Sequence, residues 1–149
     1  MQPMPSDFSL RYEWREGSLP PPHHYEYEIH VSPDGEGRIV FRPDYPMHDP
    51  PVWTETFEVE AETLRRLHAL VVEKGLLRQT WAELDDDPVG GSLESVQIVA
   101  DGQRFVVPHL IKEPETVRGV YEAVRSLVPA AIWTSLMSRR EQYGQDNPA

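Results

Sequence analysis

At 149 residues and a net charge of −11, the chain is long enough for one domain with its own core, and it carries no cysteine. That excludes disulfides, thiol nucleophiles and thiolate metal sites, and it suits a reducing compartment, so a cytoplasmic location is the expectation. The acidity repels phosphate backbones and the densest basic clusters are only Arg65-Arg66 and Arg139-Arg140, which argues against nucleic acid as a partner.

No segment approaches the roughly 18 apolar residues of a membrane span. The opening Met-Gln-Pro-Met-Pro-Ser-Asp lacks a basic stretch followed by an apolar run, so neither membrane insertion nor a cleaved leader is expected. The charge is uneven: residues 1–60 hold twelve acids against four bases, and 61–149 hold thirteen against ten. The strand-rich half is therefore the acidic half.

In chain order, Phe8, Leu10, Tyr12 and Trp14 alternate with Ser9, Arg11 and Glu13, which predicts a first strand, followed by a stiff connector at Pro20-Pro21-Pro22. A hairpin comes next. Tyr25, Tyr27, Ile29 and Val31 share one face, Glu26, Glu28 and His30 the other, and a Ser-Pro-Asp-Gly-Glu loop leads into residues 38–42. Pairing Ile29 with Ile39 sets Tyr27 opposite Phe41, Glu26 opposite Arg42 and His30 opposite Arg38. Pro43, Pro46, Pro50 and Pro51 make the following segment a loop. Residues 52–59 resume strand character, with Glu55 on the face of Trp53 and Phe57. Either a bulge re-aims that carboxylate or the strand is an edge.

From Ala61 the period becomes helical, with Leu64, Leu67, His68 and Val71 on one stripe and Gly75 placed as the residue after the C-cap. Residues 76–84 fit a helical turn or a short strand equally. Asp85 to Gly91 reads as a loop lacking the calcium-loop and phosphate-loop patterns. Asp101-Gly102 then closes a second hairpin over about 93–108, setting Ile98 opposite Phe105 and Val96 opposite Val107. Val117, Val120, Tyr121, Val124, Leu127 and Val128 mark a second helix. Pro129 interrupts it, and Ile132, Trp133, Leu136 and Met137 begin a third, with Arg139 and Arg140 near its negative end.

The fold class that results is α+β: a mainly antiparallel sheet of about five or six strands with two or three helices packed on one face. One domain covers 1–149, with 1–7 and 145–149 frayed. His68 reads as a residue at the edge of the core with a satisfied ring nitrogen.

Chemistry-bearing residues are sparse. Asp44, His48 and Asp49 in the Pro-rich loop are the best catalytic candidates, because a carboxylate that orients an imidazole is the minimal unit of general base catalysis. No nucleophile sits at a motif-defining spacing, so no catalytic assignment follows. His23, His24 and His30 are candidate metal ligands, although the deduced register sets guanidiniums beside the His30 row and adjacent imidazoles diverge. No metal and no cofactor is assigned. The functional expectation is a small non-catalytic protein-binding or regulatory module, engaging a partner or another copy through the acidic sheet face (Glu26, Glu28, His30) or the loop residues Tyr45, Met47 and Trp53. The alternatives are a small hydrolase-like enzyme built on the Asp/His pair or a metal-binding protein.

Overall fold

A computed structural model describes residues 3–17, 24–84 and 92–148. Its elements, in order, are β1 (Ser9–Arg15), β2 (Glu26–Val31), β3 (Glu36–Arg42), a 3-10 turn (Pro46–His48), β4 (Trp53–Glu58), α1 (Ala61–Glu73), β5 (Leu93–Ala100), β6 (Gln103–Val107), α2 (Glu115–Leu127) and α3 (Ala130–Asp146). The six strands form one antiparallel sheet in the order β4-β3-β2-β1-β5-β6.

The helices lie on the apolar face, giving the α+β arrangement that the alternation predicts. Ring contacts mark how each helix covers it. His68 of α1 meets Phe8, Tyr121 of α2 meets Tyr12, and Trp133 of α3 meets Tyr27.

Both hairpins have the expected registers: Ile29 faces Ile39 and Tyr27 faces Phe41, while Ile98 faces Phe105 and Val96 faces Val107. In the first, the Ser32 and Gly35 amides close the loop onto Glu36 and Ser32 carbonyls. Gly35 has φ +90°, and a Cβ there would lie 2.5 Å from the Val59 carbonyl oxygen, so only glycine fits. In the second, Asp101 and Gly102 both take positive φ, as a type I′ turn requires. Both turn amides donate to the Asp7 carboxylate at 2.8 Å, which ties down the margin of the segment expected to fray.

One feature of the sheet lies beyond either hairpin. Trp14, Tyr27, Phe41 and Trp53 are successive cross-strand partners from β1 to β4, and their rings stack at 5.1, 6.2 and 5.8 Å. Aromatic cross-strand neighbours of this kind stabilise both pairing and register. The helix α3 lies over this row.

Helix α1 ends as its glycine predicts. The Leu76 amide donates to the Val71 carbonyl and the Gly75 amide to the Val72 carbonyl, a Schellman pair that also buries Leu76 completely. Residues 76–84 are neither helix nor sheet strand. Glu83 bridges Ile111, with Leu84 donating to Leu110 and Lys112 to Ala82, so the segment forms a separate short ribbon with the chain that leaves β6.

Two expectations need correction. Helix α3 runs to Asp146, so Arg139 and Arg140 are not at its negative end. Their guanidiniums instead lie against aromatic rings: that of Arg140 is 4.1 Å above Tyr25, and Arg139 donates to Glu55 at 2.8 Å beside Trp53. This resolves Glu55, which sits on an edge strand without a bulge and is neutralised by an ion pair from above. The second correction is His68, which is buried with its Nε2 unpartnered. The helical stripe places it against Phe8, where no acceptor is available, and burial lowers its pKa against the opposing charge of Asp101.

Among the described residues no helix is long and apolar enough to cross a membrane.

Candidate functional site

The Pro-rich loop between β3 and β4 is held by Asp44, whose carboxylate is buried and fully engaged. One oxygen accepts the Tyr45 amide at 2.7 Å and the His48 Nδ1–H at 3.2 Å. The other accepts the Tyr143 hydroxyl of α3 at 2.8 Å. Burial raises the Asp44 pKa, but the hydrogen bonds from Tyr143, Tyr45 and His48 outweigh it and hold the carboxyl below its ordinary value. Tyr143 is pushed up to about 12, by burial first and then by its bond to that carboxylate.

His24 stacks on Tyr45 at 3.7 Å between ring centroids, and its Nε2 lies 3.0 Å from Glu26 Oε2. The loop thus rests on β2 at one side and on α3 at the other. Beyond these anchors its apex faces water: Met47 is 81% exposed and Val52 53%. Trp53 is half-buried in the aromatic row, and Asp49 is exposed in a left-handed conformation that ends the 3-10 turn.

The expected catalytic residues are therefore only partly brought together. Asp44 and His48 form the oriented carboxylate–imidazole pair, while Asp49 takes no part in it. The His48 side chain is 42% exposed, and the cavities described below are lined by other residues.

The outer sheet face is less acidic than expected. Glu13 and Glu28 both engage Arg11, at 2.7 and 3.1 Å, and Glu28 also meets Arg42 at 3.7 Å and His30 Nε2 at 3.0 Å. Glu28 is pulled below its ordinary pKa, because these partners overcome the opposing effect of burial. Cross-strand pairing sets Glu26 between Arg15 and Arg42, whereas Glu13 faces Glu28 and His30 lies between Arg11 and Arg38. The carboxylates gather instead at the far end of β3 and β4, where Asp34, Glu36, Glu58 and Glu60 surround a concavity of about 670 Å³.

The candidate metal ligands do not converge. His24 and His30 each bond a different carboxylate, His23 lies outside the described residues, and so does the Asp85 to Gly91 loop. Among the described residues no group of three or more His, Cys, Asp or Glu could hold a metal ion.

A polar centre absent from the sequence reading sits on the helix-covered face. The Tyr12 hydroxyl donates to Glu94 Oε2, and Arg125 Nη1 lies 2.8 Å from both the Tyr12 oxygen and Glu94 Oε2. Burial and the Glu94 carboxylate raise the Tyr12 pKa far above the phenol range. The hydroxyl of Tyr121 beside it is buried without a partner. Arg125, Tyr27, Ser126 and Trp133 border a shallow hollow of about 750 Å³ between α2 and α3. The signal was present but faint: Glu94 alternates onto the face of Val96 and Ile98, and Arg125 lies one helical turn beyond Tyr121.

In comparisons with known proteins, no family model matches the chain and no curated protein matches its sequence.

Proposed function

We propose that the protein is a non-catalytic binding module that presents the Pro-rich loop of residues 43–52 to a protein partner. The observation that carries this reading is Met47, 81% exposed at the apex of a loop whose base is locked through Asp44. Unbranched, polarisable methionine adapts to many apolar surfaces, and Val52 adds a second exposed apolar group. Four prolines and the Asp44 anchor reduce the conformational entropy that binding would otherwise remove, which favours recognition by a preformed loop.

The outer sheet face is a secondary surface in this reading, and its mixed charges suit a polar contact better than attraction to a basic partner. Two of its guanidiniums, those of Arg11 and Arg42, already engage carboxylates, which leaves less for a nucleic-acid backbone. The cysteine-free composition fits action in the cytoplasm.

The test is isolation of the protein with its native neighbours, identified by mass spectrometry, for the wild type and for Met47→Asp/Val52→Asp. The expected result is a partner retained by the wild type and lost by the variant at unchanged melting temperature. A partner held equally by both would overturn the loop assignment. The Asp44–His48 pair favours a hydrolase as the second reading, and turnover of an ester or amide panel that His48→Ala abolishes would establish it instead.

A further inference from the structure

The two edges of the sheet differ in what they offer to another strand. Ala100 and Gln103 flank a two-residue turn, so they form a hydrogen-bonded pair, and alternation makes Ile98–Phe105 and Val96–Val107 hydrogen-bonded as well. The N–H and C=O groups of Arg104 and Val106 consequently point away from β5, and among the described residues they engage no other backbone group. The β6 sequence Gln-Arg-Phe-Val-Val contains no proline until Pro108 follows it, no carboxylate and no bulge, and Val106 is 47% exposed. These are the features that natural edge strands usually avoid. The opposite edge, β4, is guarded: Pro50 and Pro51 precede it, it carries Glu55 and Glu58, and Glu36 sits across from Glu58.

We infer that β6 is a self-association edge, and that its occupant is β6 of a second copy of this chain, added antiparallel about a two-fold axis at Phe105. That register is self-complementary. Arg104 of each copy faces Val106 of the other, and the outward N–H and C=O groups of both residues form two reciprocal hydrogen-bonded pairs. On the opposite face the two Phe105 rings meet across the axis.

The choice of a second copy rests on charge. With a net charge of −11, two chains repel at most surfaces, whereas β6 itself carries no carboxylate, Glu83 lying across the hollow that Val106 lines, and it sets its one cation against an apolar side chain. The Arg104 stem covers the exposed Val106 while its guanidinium stays in water. Residues directly opposite in an antiparallel pair share a face, so the sheet would continue through both copies with all helices on one side. The partner loop proposed above lies at the β4 side of the sheet, and this inference does not depend on it.

The register makes a charge prediction that a nonspecific contact does not. Val106→Lys places an ammonium opposite the Arg104 guanidinium of the second copy, whereas Val106→Glu places a carboxylate there. Sedimentation or light scattering of the full chain over a wide concentration range should show the wild type rising from 17.1 kDa toward twice that mass. Val106→Lys should shift the transition to higher concentration by tenfold or more, and Val106→Glu should leave it in place or move it lower. Val106→Pro removes an outward N–H that the β5 ladder does not use, and it should be monomeric. A wild type that stays monomeric throughout overturns the inference, and so does a dimer in which the Lys and Glu variants behave alike.

Discussion

Two buried side chains, His68 and Asp44, couple folding to pH. His68 is folded in its neutral form with a lowered pKa, so the unfolded chain binds more protons below about pH 6.5. The stability this confers is complete above that pH and declines as acid titrates the unfolded imidazole. Urea midpoints at pH 7.5 and pH 5.5 should fall further for the wild type than for His68→Leu, and equal falls would remove His68 as the cause. Asp44 behaves in the same sense at lower pH: its folded pKa is lowered, so its contribution is present above about pH 4 and lost as pH drops below. Asp44→Asn should cost about 1–3 kcal/mol at neutral pH, because the Tyr143 hydroxyl and His48 lose a charged acceptor. Denaturant unfolding of Asp44→Asn and of Tyr143→Phe checks this, and the effects should be less than additive since both variants break one contact. The sequence shows Asp44 near His48 because they are four residues apart. It does not show Tyr143, 99 positions away, whose hydroxyl on the other Asp44 oxygen ties the loop to α3.

Elements gain or lose legibility according to whether their determinants are local. Helix α1 and both hairpins were readable because caps, turn glycines and alternation act within a few residues. The C-terminal end of α3 was not, since its last turns carry no apolar stripe and are held by Tyr143 on Asp44 and by arginines lying over Tyr25 and Trp53. The ribbon of residues 82–84 with 110–112 escaped for the same reason: its hydrogen bonds join segments that have no pattern of their own. At this scale the Tyr12–Glu94–Arg125 centre pins the last turn of α2 to β1 and β5. Both Arg125 and Glu94 keep about a third of their side-chain surface in water, so screening limits the loss in Arg125→Leu to about 1–2 kcal/mol. A double-mutant cycle of Arg125→Leu with Glu94→Leu should return a coupling of at least about 0.5 kcal/mol, and additivity would show that the pair is idle.

For the whole molecule, strand order decides what is protected, and strand order is the part of the fold that alternation cannot reveal. Pairing within each hairpin follows from its turn, but nothing near β1 in sequence says that it lies between β2 and β5, because the contacts to β5 join residues 78 to 90 positions apart. That placement makes β1 the seam between two hairpin-containing halves, with Leu10 and Tyr12 contacting both. Amide exchange measured at a concentration below any association should therefore rank the strands by distance from the edges, not by order in the chain. The amides of β1 and its neighbours, such as Tyr12 and Ile29, should be slowest and exchange only with global unfolding. Those of Thr54, Thr56, Arg104 and Val106, which alternate away from β3 and β5, should be fastest among strand residues. Slow exchange at Thr54 and Thr56 alongside fast exchange at Tyr12 would contradict the observed order of the sheet. Raising the concentration then separates the two edges: protection gained at Arg104 and Val106, with none at Thr54 and Thr56, is the pattern that pairing through β6 requires.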